Sequence, residues 1–68
     1  MNTITKTMFK PTKRDGKIAH MAYKAHRHGL STGALVLLEN VAQAAFKGTT
    51  CNYTKQEFTD LIQRLSNV

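Results

Sequence analysis

At 68 residues the chain has room for one domain, spanning residues 1–68. Its single cysteine, Cys51, excludes an internal disulfide. A core this small contributes only about 3–5 kcal/mol unaided, so tight helix packing or a homodimer is expected to supply the rest. The net charge of +6 arises entirely within the first 28 residues, where Lys6, Lys10, Lys13, Arg14, Lys17, Lys24 and Arg27 oppose only Asp15; residues 29–68 are balanced. Such asymmetry points to a polyanion or an acidic protein surface as partner.

No apolar run reaches the roughly 18 residues of a membrane span. The N-terminus lacks the charged-then-apolar layout of a signal peptide. A lone thiol suits a reducing compartment. The expected location is the cytoplasm, away from membranes.

The first element is an arm, Thr3 to Lys10, rich in threonine and partly alternating, which suits a short strand ended by Pro11. It has no evident ladder partner in the chain, so it is expected to pair with a second copy or a target, or to stay unpaired. A first helix is predicted over about 13–28, starting near Thr12 or Asp15 and stopped by Gly29. Gly16 weakens its first turn. Ile18, Met21, Ala22 and Ala25 make its inner stripe, and His20, Tyr23, Lys24 and Arg27 the basic outer face.

Ser31 is a good N-cap for a second helix over 32–47, with Leu30 and Leu35 at the hydrophobic-staple positions and Gly48 at the left-handed stop. Its polar wedge is Glu39, Asn40, Gln43 and Lys47, with Val36 inside it. Leu35, Leu37, Leu38, Val41, Ala42, Ala44, Ala45 and Phe46 form a wide apolar arc. So wide an arc predicts a central helix packed on several sides, or one that also makes a dimer interface. The third helix, 55–66, has the strongest start signal. Thr54 and Glu57 match a capping box, Tyr53 and Phe58 a staple, and Phe58, Leu61, Ile62 and Leu65 recur on one face. The fold expected is therefore all-α: three helices preceded by an extended arm.

Catalytic chemistry is poorly represented. Asp15, Glu39, Glu57 and Asp60 each have a surface or capping explanation, and no carboxylate pair is suggested. Cys51 follows a helix in a loop, where a lone thiol is most often a small buried hydrophobe. His26 and His28 stand two apart and point to different sides of a helix, and no paired zinc-ligand spacing occurs. Gly16, Gly29, Gly33 and Gly48 sit at helix starts and stops, not in a phosphate loop. The expectation is a binding protein rather than an enzyme, with no metal and no cofactor.

Residues Ala25-His26-Arg27-His28-Gly29-Leu30-Ser31-Thr32-Gly33-Ala34-Leu35 read as a helix end, a tight turn and a capped new helix. With the arm before it, the stretch 3–47 resembles the ribbon-helix-helix family of DNA-binding regulators. That resemblance implies a dimer whose paired arms enter the major groove of duplex DNA. Lys6 and Lys10, with Thr5 or Thr7, would face the groove, and Ser31 and Thr32 a phosphate. The chain departs from the pattern where Ile4 and Met8 share a face with Lys6 and Lys10, and in having a third helix. The same turn is similar to a helix-turn-helix, with Ala25, Gly29, Leu35 and Leu38 at core positions. The exposed wedge of its second helix is, however, short of positive charge for base reading.

The function expected is a small basic nucleic-acid-binding protein, a DNA-binding transcription regulator that uses the arm and the first helix. Its expected contacts are Lys6, Lys10, Lys13, Arg14, Lys17, Lys24 and Arg27, with His20 and Tyr23 auxiliary. An RNA-binding variant would use Tyr23 to stack on a base, with Phe9 and Tyr53 as the other candidate aromatics. The alternative is a small inhibitor or adaptor bound to an acidic surface of a larger protein, by strand addition or through the first helix.

Overall fold

The structure, a computed structural model, describes residues 7–67. It consists of α1 (Lys13–His26), α2 (Thr32–Lys47) and α3 (Lys55–Ser66). Each helix starts on a side-chain cap. The Thr12 hydroxyl accepts from the Asp15 amide at 3.1 Å while the Asp15 carboxylate accepts from the Thr12 amide at 3.1 Å. Thr54 and Glu57 make the same reciprocal pair at the head of α3. Ser31 caps α2 by accepting from the Ala34 amide at 3.3 Å. These bonds satisfy amides that a helix's first turn otherwise leaves without partners. At the far end of α2, Gly48 takes the left-handed conformation (φ 73°) and its amide donates to the Ala44 carbonyl. Only glycine adopts that conformation without steric cost.

α1 is shorter than expected. It ends at His26, with Arg27 as a right-handed C-cap, and the Gly29 amide turns back onto the His26 carbonyl at 2.9 Å. Gly29 has no positive φ; among the described residues Gly48 alone does. Leu30 must reach the core and Ser31 must open α2, so the chain leaves α1 early through a tightened turn.

α2 is the central helix, touching both α1 and α3. The core comprises Ala19, Leu37, Leu38, Val41, Ala44, Cys51, Phe58 and Leu61. α1 meets α2 through small residues. Gly16 and Ala19 are buried, and a Cβ placed on Gly16 would stand 2.5 Å from the Ala45 Cβ. Gly16 is thus a close-approach position as well as a weak point of the first turn. Of the expected inner stripe of α1, Ile18 and Ala22 pack against the core, while the other two positions do not. Met21 is 68% exposed and Ala25 is exposed, whereas Ala19 is fully buried and Tyr23, placed by the sequence on the outer face, packs against the core. Apolar character alone selects Met21. Close approach of two helices selects glycine and alanine instead.

The wide arc of α2 is only partly covered. Leu37, Leu38, Val41, Ala44 and Ala45 are buried, but Phe46 is 93% exposed. Val36, read into the polar wedge, is half exposed.

The end of the arm has a partner within the chain, against expectation. Met8 lies antiparallel opposite Thr54, the Phe9 amide donates to the Tyr53 carbonyl, and the Cys51 amide donates to the Phe9 carbonyl. Cys51 is 2% exposed, and its thiol has the Phe9 and Tyr53 carbonyls at 3.3 and 3.2 Å, either of which can take its one proton. The Phe9 ring stacks on Phe58, centroids 5.9 Å apart. The loop before α3 supplies the edge that a reading of helices alone leaves out. Thr3, Ile4, Thr5 and Lys6, the rest of the arm, lie outside the described residues. Among the described residues no helix is long and apolar enough to cross a membrane.

Candidate nucleic-acid interface

α1 carries four cations and one histidine at a helical spacing. Lys13, Lys17, His20, Lys24 and Arg27 follow one another at intervals of four, three, four and three, which places them in one row along the helix. All five side chains are exposed. At about 1.5 Å rise per residue the row is roughly 20 Å long. Arg14 and Lys10 are also exposed; Arg14 lies off the row, about 100° from Lys13 around the helix, and Lys10 precedes the helix. Lys6 lies outside the described residues. Tyr23 leaves the interface for the core.

The only acid on α1 is turned away and occupied. Asp15 lies on the side of the helix opposite the row, and its Oδ2 is 3.6 Å from the Lys55 Nζ. Burial pushes the Asp15 carboxyl up, but the Thr12 amide, the charge of Lys55 and hydrogen bonds from the Thr12 and Lys55 side chains outweigh it and hold the group below its ordinary value. Lys55 is further anchored over the Phe9 ring, 5.4 Å from its centroid. Asp15–Lys55 is the only ion pair between described residues. The cations of the row therefore face water without a carboxylate partner among the described residues.

Beside the row runs an open groove of about 510 Å³. Lys13, Lys17 and His20 form its α1 wall, Phe46 its α2 wall, and Gly16, Ala42 and Ala45 its floor. The floor is low because the small residues bring the two backbones close. The long side chains on either side then stand above it. Phe46 is the residue that sequence reasoning missed here. Its position on the apolar arc suggests burial, and only the place of α1 leaves it uncovered. The four-three spacing of the cations, by contrast, is legible in the sequence.

Cys51, the one candidate nucleophile, is sealed in the core beside backbone carbonyls. Among the described residues no three His, Cys, Asp or Glu side chains gather as metal ligands. Against known protein families, characterised proteins and solved structures, the chain has no match.

Proposed function

We propose that the chain is a small DNA-binding protein of regulatory type that engages the phosphate backbone with the outer face of α1. The observation that carries this reading is the row Lys13, Lys17, His20, Lys24 and Arg27, exposed, unpaired within the described chain, and set on a helix whose single acid is tied up on the opposite side. A row of cations over about 20 Å spans several phosphates of a nucleic-acid strand. Lys10 and Arg14 add charge near its N-terminal end. Phosphate contacts of this kind position a protein and read no sequence.

The test is fluorescence anisotropy with labelled random-sequence DNA over a salt series. The expected result is micromolar binding at low salt and a linear fall of log K with log salt. The double variant Lys17→Glu/Lys24→Glu is expected to lose most of that affinity and to flatten the salt slope by about two, while keeping its helical circular dichroism, because each phosphate contact contributes about one to the slope. Absence of binding at low salt overturns the reading. The same cations would then belong to the alternative, an inhibitor or adaptor seated on an acidic protein surface.

A further inference from the structure

We infer that the groove between α1 and α2 seats an unpaired base, so that the nucleic acid this chain prefers is single-stranded. The inference rests on the phosphate-binding reading of α1 and adds a second, separate contact to it.

Phe46 is 93% exposed, far more than Met8, Met21 or Val36, the other large apolar side chains left open to water among the described residues. A single exposed apolar residue needs no explanation by itself. Phe46 is distinguished by where it stands. It forms one wall of a groove whose other wall is cationic and whose floor is methyl groups and bare backbone. An aromatic ring facing a cationic wall matches the two surfaces of a nucleotide, a flat apolar base and a phosphate. Bases stack on aromatic side chains whatever their identity, because each has a π-face.

The size and shape of the groove agree. At about 510 Å³ it falls within the range of pockets that hold one small ligand, about 300–1,000 Å³. In a duplex both faces of a base are covered by its neighbours, and a base becomes available to such a pocket only when it is unstacked. Glu39 is exposed on α2, seven residues before Phe46 and so about 10 Å away on the same side of that helix. Phosphates are repelled from that end of α2 and attracted along α1. The strand therefore tracks Lys13, Lys17 and His20, and a base crosses the groove floor to Phe46. No carboxylate or amide side chain lines the groove to read a base edge. The preference is for strandedness and not for sequence.

The chain contains no tryptophan, which makes the test direct. Full-length protein is titrated with labelled oligothymidine and with a random duplex of equal length at low salt. The wild type is expected to bind the single strand more tightly. Phe46→Ala is expected to lower single-strand affinity by about tenfold while the duplex affinity holds, since one base stack is worth about that factor. Phe46→Trp should restore affinity, and its fluorescence should be quenched on adding the single strand but not the duplex. Equal binding of both DNAs by the wild type and Phe46→Ala, with loss on Lys17→Glu/Lys24→Glu, overturns the base seat and leaves phosphate binding intact. No binding of either DNA by the wild type overturns both.

Discussion

The two neighbours of α2 are attached in opposite ways. α1 makes its closest approach through glycine and alanine, Gly16 and Ala19 against the side of α2 that carries Ala42 and Ala45, with Ile18, Ala22 and Tyr23 partly buried against the core beside them. α3 docks through large side chains, with Phe58 and Leu61 buried and Phe9, Tyr53, Ile62 and Leu65 packed against them. The large-residue side brings area out of water, at about 25 cal/mol per Å². The small residues allow close approach, and close approach leaves a groove flanked by the long side chains that stand beside the seam. The largest buried side chain of the core outside α2, Phe58, stands on α3, and the candidate interface stands on α1. Residues can be changed at the outer face of α1 with little effect on the fold.

The largest break in this contrast is expected from Phe58→Ala. Removing a buried phenyl ring costs about 3–5 kcal/mol, comparable to the whole stability of a chain this small. Denaturant titration should find the variant largely unfolded. A stable variant would show that α3 is not the main source of core energy.

Gly16→Ala sharpens the other side. The new methyl meets the Ala45 Cβ, and overpacking costs about 1–3 kcal/mol, offset by about 1 kcal/mol of improved helix propensity. A net loss is expected on thermal melting, with recovery in the double variant Gly16→Ala/Ala45→Gly, which moves the methyl to the other helix. A stabilised single variant would mean the seam yields easily and that glycine is not required there.

The smallest effect concerns the Asp15 bridge to Lys55, which ties α1 to the head of α3. The Asp15 carboxyl titrates below its ordinary value of 3.8 in the folded chain. Its contribution is therefore present above that value and is lost as pH falls through the lower folded value. Wild type and Asp15→Asn, compared by melting at neutral pH and in acid, should differ at neutral pH and converge in acid. A constant difference would assign the effect of Asp15 to shape rather than charge.

Much of the fold was legible because it is written in local chemistry. Thr54 with Glu57, Ser31, and Gly48 mark helix ends through bonds to the nearest few residues, so α2 and α3 were placed with their bounds. The same locality explains the readings that failed. His26 ends α1 because Leu30 is needed in the core, a demand from outside the helix. The arm near Met8 and Phe9 looked unpaired because its partner, the segment from Cys51 to Thr54, is more than forty residues away and carries no strand pattern.

The number of helices, the caps of α2 and the start of α3 follow from spacing along one backbone, as do Lys24 and Arg27 on the outer face of α1. Helix packing decided that Met21 and Ala25 stay outside, that Tyr23 is withdrawn, and that Phe46 stands exposed beside Lys13, Lys17 and His20. The reason is physical. A helical wheel ranks residues by their affinity for water, whereas helix docking also selects for how closely two backbones can approach. Gly16 scores poorly on the first measure and is required by the second.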